Sequence, residues 1–178
     1  MSRSFAAKQN GTSLIEVLVS MVVSVIGLLG MIKLQMHSFS TESESFQRAN
    51  AAVLLQDMVS RINANYVGAA GYVANDIGVG DLQDCSGAAV GAARDLCNWG
   101  NLLRGAQETV GYGSRVGAMA SARACITSPE ANVYIVAIVW EGVVATGAPT
   151  TVCGKDKYSS EAVRRAVTAV TRIADLNV

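Results

Sequence analysis

The chain has 178 residues, 51 % of them hydrophobic and only 16 % charged, with 14 Lys and Arg set against 14 Asp and Glu. That length holds one modest domain plus an accessory segment, and the apolar content is rich for a soluble protein. Balanced charge speaks against a nucleic-acid footprint, and a single histidine leaves little for a hydrolytic triad.

The first eleven residues, MSRSFAAKQNG, form a short polar leader carrying Arg3 and Lys8. An apolar run follows from Leu14 to Ile32, interrupted by one ionisable group, Glu16. As a helix, about 19 residues reach roughly 28 Å, close to the hydrocarbon thickness of a bilayer. A cleavable signal peptide has a shorter apolar region, of roughly 7–15 residues, and ends at a small-residue site of A-x-A type. Neither feature fits here, so the segment is expected to span a membrane, with Arg3 and Lys8 on the cytoplasmic side. A carboxylate at the bilayer centre costs roughly 2.5–3.5 kcal/mol, so Glu16 either reaches the headgroups or is kept for a partner. A chain cut after Gly11 would present such a partner, because Thr12 would carry a free α-amine one turn before Glu16, available from a neighbouring copy.

The stretch Gly11-Thr12-Ser13-Leu14-Ile15-Glu16-Val17-Leu18-Val19 resembles the prepilin motif of type IV pilins and their pseudopilin relatives. The resemblance implies a membrane peptidase that cuts after Gly11 and methylates Thr12, and a role for Glu16 in setting subunit register against a neighbour's amine. That family usually has phenylalanine at the first mature position, where this chain has threonine. The family fold is α+β, a long N-terminal helix with a membrane half and an amphipathic half, packed on a small antiparallel β-sheet head. Applied here it gives a cleaved leader over 1–11, an assembly half of the helix over 12–36 and a periplasmic head over 37–178.

The helix is expected to run on to about Ala64, since no Pro or Gly lies between Lys33 and Tyr66. Gly27 and Gly30, and the polar run His37–Ser45, are its weak points. Phe39, Phe46 and Val53, then Leu55, Val59, Ile62 and Tyr66, suggest one amphipathic face. From Tyr66 to Asn132 the composition turns to Gly, Ala, Asp and Asn, and loops are expected to dominate. Val133–Gly142 is a β-branched and aromatic run of strand length, fit for burial on both faces or against a helix. Gly142–Gly147 reads as a second strand or a turn. Ala162–Leu176 fits a helical face or a strand on its own residues, and the pilin resemblance favours the strand.

Cys85, Cys97, Cys125 and Cys153 all fall outside the cytoplasm on this topology, where an even count favours disulfides. Of three connectivities, Cys85–Cys97 with Cys125–Cys153 pairs local neighbours and ties the flanks of the Val133–Trp140 strand. No C-x-x-C pair occurs and His37 lies far upstream, so no metal is expected. No cofactor is expected either: Gly78 and Gly80 begin a G-x-G-x-x-G pattern that fails at Gln83, and no P-loop occurs. Arg164, Arg165 and Arg172 read as a solvated face, and Trp99 and Trp140 as core residues of the head.

Within the superfamily the chain is most similar to the PilV-type minor pilins of type IV pilus modification. The similarity rests on Ser13–Gln35 with its Ile26–Gly30 step, on Asp95 to Trp99, Trp140-Glu141, Cys153 and Arg164-Arg165. A Leu-Pro-Gly segment expected after Trp99 is replaced by Leu103-Arg104-Gly105. The resemblance implies a non-enzymatic subunit that primes, caps or modulates pilus assembly in the inner membrane. Its implied partners are a prepilin peptidase, other minor pilins and the major pilin, with no small-molecule substrate. The alternative on the same helix is a minor pseudopilin of a type II secretion system.

Overall fold

The computed structural model describes residues 12–106, 109–110, 114–115 and 118–174. The chain divides into two compact units, Met1–Glu42 and Ser43–Val178. Helix α1, Thr12–Ala64, contributes its first part to one and its last part to the other.

In the first unit every described side chain from Leu14 to Phe39 is exposed, the whole apolar run included. By length and composition this helix can cross a membrane. The two hydroxyls of the apolar run, on Ser20 and Ser24, are satisfied within the helix. Ser20 Oγ donates to the Val17 carbonyl and Ser24 Oγ to that of Ser20, both at 2.8 Å. In the polar run after His37, Ser40 and Thr41 do the same, both donating to the His37 carbonyl. Such back-bonding hides small polar groups that otherwise compete with helical structure.

In the second unit α1 buries Ala51, Leu55, Met58 and Ile62, steps of four, three and four that make one helical face. Phe46 and Val53 are not on it, being 54 % and 69 % exposed, and Tyr66 is also exposed. Phe39, in the first unit, is exposed as well. This corrects the single amphipathic face expected from the sequence. At 100° per residue Val53 and Leu55 are about 200° apart, so the two apolar series occupy opposite sides of the helix. The C-terminal turn closes through Asn65, whose N–H donates to the Arg61 carbonyl, and a 3-10 helix follows at Tyr66–Tyr72.

The head sheet has four strands in the order β1-β4-β5-β6, every neighbour antiparallel: β1 Ala74–Ile77, β4 Arg123–Glu130, β5 Val133–Glu141 and β6 Arg164–Arg172. Helix α2, Ala92–Leu103, and a two-stranded ribbon, β2 Thr109–Val110 with β3 Ser114–Arg115, lie between β1 and β4 in the chain. The α+β architecture is therefore the one expected. Alternation along β5 divides two cores. Tyr134, Val136, Ile138 and Trp140 join Ala124 and Ile126 of β4 and the buried face of α1, while Ala137 and Val139 pack with Cys125 and Cys153 on the opposite face. A central strand buried on both sides reads in sequence as an unbroken apolar run, as Val133–Glu141 does.

Regular structure between Tyr66 and Asn132 exceeds the loop-dominated expectation. α2 owes its helix to Leu96, Trp99 and Leu103, one face among Asn and Gly residues that dilute the signal. β4 buries only Ala124, Cys125 and Ile126 before running out through Pro129, where the register to β5 shifts between Thr127 and Glu130. A bulge is where a strand tolerates proline. Gly142–Gly147 contains no strand, while β6 fills most of Ala162–Leu176, whose last two residues lie outside the described ones.

Candidate assembly site

Thr12 is the first described residue of α1, and Gly11 lies outside the described residues. Glu16 follows Thr12 by four residues, about 6 Å along a helix axis. Its side chain is exposed and makes no hydrogen bond or ion pair with a described residue. Ser20 and Ser24 are satisfied within the helix, so Glu16 is the polar group of the apolar run still open to an external partner. Around Gly27 and Gly30 nothing stands within 4 Å of where a Cβ would be, so their surface is open too.

The head is fastened by two disulfides, Cys85–Cys97 and Cys125–Cys153, spanning 12 and 28 residues. Cys85–Cys97 ties the loop after β1 to α2. Cys125–Cys153 ties the connection between β5 and β6 to the sheet face opposite α1. By loop-closure entropy each such bridge contributes about 3 kcal/mol.

Arg164 completes that fastening. Its side chain is 2 % exposed, its Nη1 donates to the carbonyls of Thr151 and Cys153 at 2.8 and 2.9 Å, and its Nη2 to that of Pro149. Glu161 supplies the counter-charge through Nε and Nη2. The Arg164 hydrogen bond is the first cause holding the Glu161 carboxyl below its ordinary range, helped by the Asp156 N–H. Arg165 bonds the carbonyls of Ala162 and Val144 and pairs with Glu44 of α1 at 3.3 Å. Glu44 also accepts the Val143 N–H at 2.8 Å. A Cβ at Gly142 would sit 2.5 Å from the Glu44 Oε1 and 2.8 Å from the Arg165 Cζ, so a side chain there would have to displace the ends of this pair. These two arginines are therefore internal clamps and not the solvated face expected. Arg172 alone of the three is broadly exposed, 3.8 Å from Glu130. Backbone carbonyls, invisible in composition, are what draw the other two inward.

Tyr158 closes the same region, its hydroxyl donating to the Ser121 carbonyl and its ring lying 5.7 Å from the Arg123 guanidinium carbon. Burial pushes its hydroxyl pKa up, opposed by Arg123. A second network joins α1 to α2. Arg61 pairs with Asp57 at 2.9 Å and with Asp95 at 3.1 Å, and Tyr72 donates to the other Asp95 oxygen. Burial opposes the Arg61 charge, but the two aspartates outweigh it and its pKa is raised. The Tyr72 pKa is raised too, first by burial and then by the Asp95 bond. Trp99 is a core residue whose indole N–H donates to the Leu54 carbonyl at 2.9 Å, and Trp140 is also buried. Among the described residues no group of three or more His, Cys, Asp or Glu is placed to hold a metal.

The family model for the prokaryotic N-terminal methylation motif matches residues 6–32, which supports a type IV pilin-like relationship for the chain. That motif implies processing by a prepilin peptidase and assembly with other pilins. With the apolar helix it fits a membrane-anchored, pilus-incorporated structural subunit. No curated protein and no solved structure matches the chain.

Proposed function

We propose that the chain is a minor pilin of the PilV type, a non-enzymatic subunit that primes, caps or modulates assembly of a type IV pilus. In this reading residues 1–11 are removed after Gly11, Thr12 is methylated, and residues 12–36 hold the subunit in the inner membrane with its head in the periplasm until it enters the filament. Glu16 then takes the amine of a neighbouring subunit, a buried charge retained because it fixes register. The two disulfides belong with an oxidising compartment.

The observation that carries the reading is the coincidence of the methylation motif, residues 6–32, with an exposed apolar helix whose open polar group stands one turn after Thr12. The decisive measurements are the intact mass of the protein in sheared filaments and the phenotype of a gene deletion. The mature chain is expected to begin at a methylated Thr12, with Gly11→Leu leaving the precursor in the membrane. Deletion is expected to lower the number of surface pili without stopping synthesis of the major subunit. Retention of residues 1–11 in the assembled form, with the peptidase present, overturns the assignment. Intact pili together with a block in secretion of periplasmic enzymes would identify a minor pseudopilin of a type II secretion system instead.

A further inference from the structure

The sheet face turned away from α1 is only partly covered. The connection between β5 and β6 packs Val139 against Cys125–Cys153, and beside that disulfide lies a groove of about 380 Å³ that Ala137 also lines. That volume falls in the range of small-ligand sites, roughly 300–1,000 Å³, and leaves room for a side chain of a bound segment. Its apolar lining is Ile135, Ala137, Val152 and the disulfide, and Thr127 stands beside Ile135 as its cross-strand partner.

The charge of the groove is one-sided. Lys155 and Lys157 both line it, while Asp156 between them does not and turns its N–H to Glu161. Neither ammonium makes a hydrogen bond or ion pair with a described residue. The one carboxylate among the lining residues, Asp76, is taken by Arg123 at 2.7 Å. An apolar lining beside two solvent-exposed cations is therefore presented, Lys155 also acting at longer range on the Glu161 carboxylate.

We infer that this groove is a docking site for an extended acidic peptide segment of a partner protein, one that places an aliphatic side chain over Ile135 and Ala137 and carboxylates on Lys155 and Lys157. Two alternatives fit less well. Sugars are held by aromatic platforms and nucleic acids by stacked bases on a broad basic surface, and no described lining residue is aromatic and only two are cationic. Long lysine stems reach carboxylates over a range of spacings, so the site selects charge and an extended form more than one sequence. The inference does not depend on how the helix assembles, and its test reads binding alone.

The test is fluorescence anisotropy with the full-length protein in zwitterionic detergent and a labelled, capped peptide alternating Asp and Leu, beside the same peptide with Asn for Asp. The acidic peptide is expected to bind and the Asn peptide not to. The exposed-site double variant Lys155→Glu, Lys157→Glu is expected to weaken binding by about tenfold or more, as is raising salt from about 50 mM to about 500 mM. Thr127→Trp, which fills the groove and leaves both lysines, is expected to weaken it as well. Equal binding of the two peptides, or unchanged binding by either variant, overturns the inference. So does preference for polygalacturonate over the acidic peptide, which would make the groove a site for acidic sugars.

Discussion

Glu16 and Arg164 are charged side chains in opposite surroundings, the first exposed and the second 2 % exposed within the head. Glu16 has its partner outside its own chain in the proposed assembly. Glu16→Val should therefore leave membrane insertion and cleavage normal while reducing the amount of protein in sheared filaments; wild-type incorporation would return Glu16 to a headgroup contact. Arg164 finds its partners within the head, three carbonyls and Glu161. Arg164→Met should destabilise the head by roughly 2–4 kcal/mol, because the carbonyls lose charged donors, and urea unfolding measures it. Glu161 makes the same interaction dependent on pH. Its folded pKa is depressed, first by the Arg164 bond, so its contribution is complete above the unfolded glutamate value, about 4.3, and is lost as pH falls through the lower folded value. Glu161→Gln should thus be less stable than the parent at neutral pH, with the difference shrinking on acidification. A difference that grows in acid would contradict the pairing.

At the scale of elements, the second part of α1 carries apolar residues on two sides, and only one of them packs. Met58→Ala is expected to cost about 2–5 kcal/mol, and Val53→Ala to stay within about 0.5 kcal/mol, in the same urea experiment. Equal costs would mean that the opposite side is also covered. The connection between β5 and β6 depends on its bridge. The double replacement Cys125→Ser, Cys153→Ser should cost about 3.5 kcal/mol and Cys85→Ser, Cys97→Ser about 3 kcal/mol, following the longer and shorter closed loops. Peptide mapping without reduction checks the pairing directly, and a Cys85–Cys153 link would refute it.

For the whole molecule, the two units divide the work. The first presents an apolar helical surface with one open carboxylate, within the residues that the methylation-motif model matches. The second holds its own core, its disulfides and a groove of one-sided charge. On the proposed reading the helix is common to the subunits it assembles with, so selectivity among them falls to the head surface. Charge reversal at Lys155 and Lys157 should accordingly change which proteins co-purify with the full-length chain in detergent, while leaving processing after Gly11 untouched.

Much of this organisation is legible along the chain. The extent of α1, the β5 strand and the motif around Gly11–Val19 are local properties: an unbroken helical stretch, a run of β-branched residues and a fixed order of residues. Helix α2 and strand β4 are hardly legible, because a single apolar stripe among Asn and Gly, or three buried residues before a proline, acquires its meaning only from the neighbour it packs on. The side of α1 that faces the sheet was also undecided by spacing, since both apolar series repeat at helical intervals and only contact with β4 and β5 chooses Leu55 over Val53. Arg164 and Arg165 looked like surface charge for the same reason. Their partners are backbone carbonyls and a glutamate of α1 distant in sequence, and composition carries no record of which carbonyls a fold will bring together.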